Sequence, residues 1–267
     1  MKKSTIAIIL IASIFYGCKS PKFIISKAYR KMDANEKQLA DSILLKALDN
    51  EAIYTLLDTL KPMSSVQYYK LPLYSNNKSL KDSAVTFLYN LQNVVNKMSI
   101  ADWQFVLNPF SRIDSIYRSF EIYVFRKSRL ASLITQHQSY FGKWGFTSNA
   151  NPATILAVTE YEKKYERWRS YGYLFGYPSY AVDFFVAAGK SEDSTKLFVK
   201  RDFFAIPVFA GETGHFTYAI PKGYLPSSID SSIYNKAIPT LNKYKRARIM
   251  YTKNGQTKAF KLFKKLN

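Results

Sequence analysis

Few residues of this 267-residue chain carry obvious reactivity: two histidines, one cysteine and a dense set of aromatics. Glu212 and His215 fall in the stretch Gly211-Glu212-Thr213-Gly214-His215, where an acid could orient an imidazole acting as a general base. His137 instead shares helical spacing with Leu130, Leu133, Ile134 and Phe141, which predicts a core-lining histidine. The sequence has no His-Glu-x-x-His, no Gly-x-Ser-x-Gly and no phosphate-cradling glycine loop. Two histidines and one cysteine are too few for a dedicated zinc site, so neither a metal nor a cofactor is expected. Between Tyr165 and Tyr180 seven of sixteen residues are aromatic, among them Trp168, Tyr171, Tyr173 and Tyr177. Such rings can form a platform for a ligand or simply fill a core.

The lone thiol, Cys18, has a context of its own. Lys2 and Lys3 precede an apolar or small-residue run from Ile6 to Tyr16 that ends on Gly17-Cys18. Eleven positions are too few to cross a bilayer as a helix, which takes about 20 apolar residues. The segment resembles the lipobox signal peptide of bacterial lipoproteins, with Phe15 and Tyr16 where an aliphatic and a small residue are commoner. That resemblance covers residues 1–18 and implies cleavage before Cys18, acylation of its thiol (palmitate or a similar chain) and tethering to a membrane. No aspartate follows the cysteine, so the inner leaflet of an outer membrane, facing the periplasm, is the expected location. An exported chain with one cysteine forms no internal disulfide, and acylation accounts for the thiol.

Charge narrows the partners. Lys and Arg number 39 against 19 Asp and Glu, and a balance that basic favours polyanions and anionic surfaces. Ten of the cations and no acid lie between Ser231 and Asn267. Lysines outnumber arginines 29 to 10, the bias of an AT-rich genome and a poor match to bidentate phosphate recognition. Nucleic acid would fit the charge, but a tethered, exported chain rarely meets it.

Stepping along the chain, apolar spacing predicts two short helices over residues 33–60, ended by Pro62, and a polar stretch to Asn77. Ser79 with Asp82 suggests a capping box for a helix buried through Val85, Leu88, Leu91, Val94 and Val95. A short strand is predicted at 103–107, mainly helix over 114–141, a helix from Asn151-Pro152 to Trp168, and another over 179–188. Residues 197–209 and 215–220 read as a long hairpin with Pro207 at a bulge or edge, followed by a helix over 229–241. Asn254-Gly255 then signals a last hairpin pairing Lys253 with Gln256, Ile249 with Phe260 and Ala247 with Leu262. That register gathers Arg246, Arg248, Lys261 and Lys265 on one face, with Arg248 opposite Lys261, as a candidate anion-binding surface.

The resulting expectation is an α+β protein with a helical N-terminal part followed by antiparallel β-hairpins and one intervening helix. Its parts are a signal peptide (1–17), a lipidated anchor and linker (18–32), a mainly helical region (33–190) and a strand-rich basic region (191–267) that can share one domain with it. The expected function is a non-catalytic binding or structural lipoprotein contacting anionic lipid, envelope polysaccharide or another envelope protein. The alternative is a periplasmic hydrolase using His215 and Glu212.

Overall fold

The structure is a computed structural model and describes residues 27–211 and 215–267. Cys18 and Glu212 lie outside them. The class is α+β, and the sheet is embedded in the part of the chain expected to be mainly helical.

After a single turn, α1 (Lys27–Arg30), Asp33 and Glu36 close a reciprocal capping box that starts α2 (Ala34–Asp49). Its buried residues Ala40, Ile43, Leu44, Ala47 and Leu48 keep helical spacing, and α3 (Ile53–Leu56) follows at once. The stretch expected to be polar and irregular is instead strand β1 (Met63–Leu71). Its serines misled the pattern: Ser64 is buried because its hydroxyl hydrogen-bonds that of Thr55 at 2.8 Å. Helix α4 (Lys78–Lys97) is capped by Asn77 rather than opened by Ser79, which turns Ala84 inward and leaves Val85 exposed. Strands β2 (Ser99–Ile100), β3 (Trp103–Ile113) and β4 (Arg118–Arg126) complete an antiparallel sheet in the order β1-β4-β3-β2.

Strand β4 corrects the helix expected over 114–141. As the strand between β1 and β3 it is covered on both faces, so its run Phe120–Phe125 lacks the apolar-polar alternation of a half-exposed strand. Ile122 and Val124 enter one core with residues of α2 and α4, whereas Tyr123 and Phe125 enter a second. The second core is roofed by α5 (Lys127–Gln136), α6 (Gln138–Phe141), α7 (Pro152–Tyr161) and α8 (Lys164–Leu174). Asn151 caps α7 as expected, but the helix predicted to reach Trp168 breaks after Tyr161.

Helix α9 (Ser179–Thr195) runs on to the expected hairpin of β5 (Arg201–Ile206) and β6 (Phe216–Pro221), paired Phe203 to Ala219. The last segment differs most from expectation. Helix α10 spans Ser228–Met250, and the hairpin shrinks to β7 (Thr252–Lys253) and β8 (Gln256–Thr257) before α11 (Ala259–Leu266). Lys253 does pair with Gln256 across Asn254-Gly255, whose positive φ of 51° and 73° suit the turn. Ile249–Phe260, Ala247–Leu262 and Arg248–Lys261 are not pairs. Ala237, Leu241, Tyr244 and Ala247 are buried at helical spacing, and Ala259, Phe260, Leu262, Phe263 and Leu266 do the same for α11. None of the helices in the described residues is long and apolar enough to cross a membrane.

Helix α11 takes its N-terminal cap from elsewhere: the Asp41 carboxylate in α2 accepts from the backbone N–H of both Ala259 and Phe260 at 2.9 Å. Asp41→Ala should therefore lower the unfolding free energy by about 1–2 kcal/mol, the usual value of a lost cap. A urea titration checks this; an unchanged midpoint would show that α11 does not depend on α2 for its start.

Candidate functional site

The aromatic segment, which could form a ligand platform or fill a core, lines a cavity. Two glycines let α8 and α9 close on each other: a Cβ at Gly189 would meet the Trp168 ring at 2.3 Å, and one at Gly172 would meet Val182 at 2.7 Å. Between these helices and the β5–β6 hairpin lies a cavity of about 330 Å³. Trp168, Tyr171, Phe175 and Tyr177 form one wall; Phe185 of α9 and Phe203, Thr217, Tyr218 and Ala219 of the hairpin form the other. Phe203 is 63% exposed. Tyr173, the fourth expected platform residue, points away into the second core, its ring stacked on His137 at 4.1 Å.

The cavity's chemistry is that of ring faces. Tyr171 gives its hydroxyl hydrogen to buried Glu160 and Tyr218 gives its own to Asp230, so neither is spare for a ligand. Flat apolar or amphipathic groups suit such a wall.

Behind it lies a buried polar chain that the sequence did not announce. The Lys61 ammonium is fully buried, donates to Glu51 at 2.6 Å and faces the rings of Phe175, Tyr177 and Phe216 at 5.2, 5.8 and 4.3 Å. Burial pulls the Lys61 pKa below the ordinary lysine value against the opposing pull of Glu51. Glu160 accepts from the Ser111 N–H and hydroxyl at 2.8 and 2.9 Å. Glu121, bonded to Tyr123, is pushed above the usual carboxylate range by burial and by the negative Glu51 and Glu160. The available signal was local: Glu121 interrupts the apolar run Phe120–Phe125, and Lys61 lies between Leu60 and Pro62.

The other expected site residues disperse. His215 is exposed and lines none of the cavities described. Arg246, Lys261 and Lys265 are exposed, but Arg248 is half-buried: its guanidinium grips Asp49 at 3.1 and 3.2 Å and donates to Thr252 and Thr257. Arg248 thus clamps α10 to the end of α2 and has no fork left for a ligand. Among the described residues no three His, Cys, Asp or Glu side chains gather as a metal site. No protein-family model, curated protein or solved structure matches the chain.

The cavity tyrosines carry a pH signature. Burial raises Tyr171, Tyr177 and Tyr218 above the ordinary value of 10, as it does Tyr69, to about 12. A group raised in the folded state binds its proton longer there than in the unfolded chain, so its stabilisation is complete below pH 10 and lost above it. Lys61, lowered on folding, acts oppositely as pH approaches 10.5, but it is one group against several. Stability should fall steeply above about pH 10. Tyrosinate absorbance should appear together with loss of near-UV circular dichroism. Ionisation of these tyrosines in a chain that keeps its near-UV signal would contradict their burial.

Proposed function

We propose that this chain is a lipid-anchored, non-catalytic binding protein of the cell envelope that rests on an anionic surface through the cations of α10 and α11. The observation that supports this reading is the packing of the first described helix against α11. Tyr29 in α1 packs against Phe260 of α11 with ring centroids 4.0 Å apart and the planes tilted by 32°. The described chain therefore starts beside α11, whose outer side carries exposed Lys261, Lys264 and Lys265. Cys18 is nine residues upstream of Lys27, a reach of at most about 30 Å. Acylation at Cys18 would keep these lysines near lipid head groups, where each is worth about 1 kcal/mol within a Debye length of the surface.

Two exposed apolar side chains add to the match. Ile249 and Met250, 75% and 68% exposed, end α10 between Arg246 and Lys253. Apolar tips among cations suit the boundary between head groups and acyl chains. Anionic lipid of the membrane that holds the anchor is the first partner; phosphorylated polysaccharide or an acidic envelope protein shares its chemistry.

Vesicle binding tests the reading. Protein with Cys18→Ala, and so without acyl chains, should bind vesicles of anionic lipid and ignore zwitterionic ones, weakening at least about tenfold between about 50 and 300 mM salt. Changing Arg246, Lys261, Lys264 and Lys265 to Gln together should remove binding and leave thermal stability unchanged. Binding that ignores both salt and these changes would overturn it. In the cell, Cys18→Ala should abolish palmitate labelling and release the protein from membranes.

The aromatic cavity favours a second, compatible reading, in which the anchored protein holds a ring-bearing envelope ligand such as a sugar. Glycan fragments should quench the fluorescence of Trp168, and Phe203→Ser should weaken their binding about tenfold or more, within the range of one stacked ring. A hydrolase centred on His215 and Glu212 draws no such support from the described residues, where exposed His215 lines neither cavity described here.

A further inference from the structure

A second cavity, of about 370 Å³, lies on the far side of the Gly176–Tyr180 turn, with Tyr177 common to both. Arg129 and His137 line it from α5 and its end, Ser179 and Tyr180 from the start of α9, and Ile229 and Ile233 from α10. No carboxylate lines it. We infer that this cavity binds an organic oxyanion, a carboxylate or phosphate ester on a short apolar stem, with the anionic head on Arg129 and the stem against Ile229 and Ile233.

Arg129 carries the inference. Arg118, Arg126, Arg167, Arg169, Arg201 and Arg248 all donate to protein oxygens. Arg129 has no ion pair among the described residues, and its Nε is cut off from solvent without an acceptor. A buried donor left unmade destabilises a fold, so a native chain that keeps one points to an acceptor supplied from outside. The guanidinium fork matches the planar oxygens of a carboxylate or phosphate.

The opposite rim is electropositive as well. Helix α9, seventeen residues long, starts at Pro178 with no side-chain cap. Ala181 and Val182 both donate to the Pro178 carbonyl. Ser179 and Tyr180, the first two residues of the helix, have no carbonyl four residues back within it to accept their N–H groups. The turn is held rigidly: Gly176, at φ +76°, lies so close to the Leu60 carbonyl that a Cβ would approach it to 2.8 Å. One wall is thereby fixed, and the Arg129 side chain must shift to open its Nε to a ligand.

His137 and His215 are the only histidines, one in the cavity and one in an exposed loop, so ring proton resonances provide a probe and an internal control. Burial lowers the His137 pKa, its ring stacked on Tyr173 beside Arg129 and Tyr180. Titration of the full mature chain with hexanoate at constant ionic strength should shift His137 saturably, raise its pKa and leave His215 unmoved. Inorganic phosphate, lacking the stem, should act in the same direction with at least about tenfold lower affinity. Arg129→Gln should abolish the response and melt no lower than the unaltered protein, because no partner is lost. Arg129→Lys, which keeps the charge and loses the fork, should weaken hexanoate about tenfold and covers the case in which Arg129→Gln does not fold. An equal response to hexanol, a His137 that moves no more than His215, or a response that survives Arg129→Lys and Arg129→Gln undiminished would overturn the inference. None of these outcomes bears on vesicle binding, which uses other residues.

Discussion

The Lys61 ammonium is the constraint on which both cavities depend. Taking an isolated ammonium out of water is costly, and the fold offsets that with one carboxylate, Glu51, and three ring faces, those of Phe175, Tyr177 and Phe216. Those partners come from the turn before α3, the C-cap of α8, the turn after it and strand β6. One point charge thereby joins segments more than 150 residues apart in sequence. Tyr177 also packs against both apolar cores, so the ammonium is placed where they meet. Moving Lys61 would move the Gly176 backbone that rests on it, and with it the shared wall of both cavities.

Several acidic residues have interior structural tasks. Asp41 caps α11, Asp49 holds Arg248 and Tyr244, Glu51 neutralises Lys61, and Asp230 closes the capping box of α10 while accepting from Tyr180 and Tyr218. The lysines of α11 have no comparable interior task. A field of exposed cations then follows from the architecture, and compositional bias alone does not account for where they lie. The arginines divide differently: most serve as internal clamps because a planar fork satisfies several acceptors at once.

How much of this could be read from the chain depends on whether its cause is local. The Asn151 cap, the α2 stripe, the β5–β6 hairpin and the Asn254-Gly255 turn are short-range effects and were readable. Strand β4 was not, because burial on both faces erases the alternation that distinguishes a strand from a buried helix. The C-terminal hairpin was over-extended for the opposite reason. Its turn signal is real, but the helical spacing of Ala237, Leu241, Tyr244 and Ala247, anchored by Arg248 on a distant aspartate, outweighs strand pairing beyond it. At the sites, the aromatic segment supplies Trp168, Tyr171 and Tyr177 to a cavity wall, while Tyr173, two residues from Tyr171, faces the other core.

Arg129 had no sequence signature, since nothing in Lys-Ser-Arg-Leu distinguishes a stranded guanidinium from a solvated one. Only a census of buried donors separates them. The difference matters for the kind of recognition each surface can perform. Lysines on α11 act through a screened field that makes no demand on ligand shape and responds to any dense array of negative charge. A guanidinium with a buried, unmatched Nε does demand shape: it is satisfied only by an acceptor small enough to enter beside it and flat enough to meet the fork. On the two proposals made above, broad adhesion and narrow selectivity would fall to separate parts of one chain, and the first would hold the second close to the membrane from which a stem-bearing anion would come.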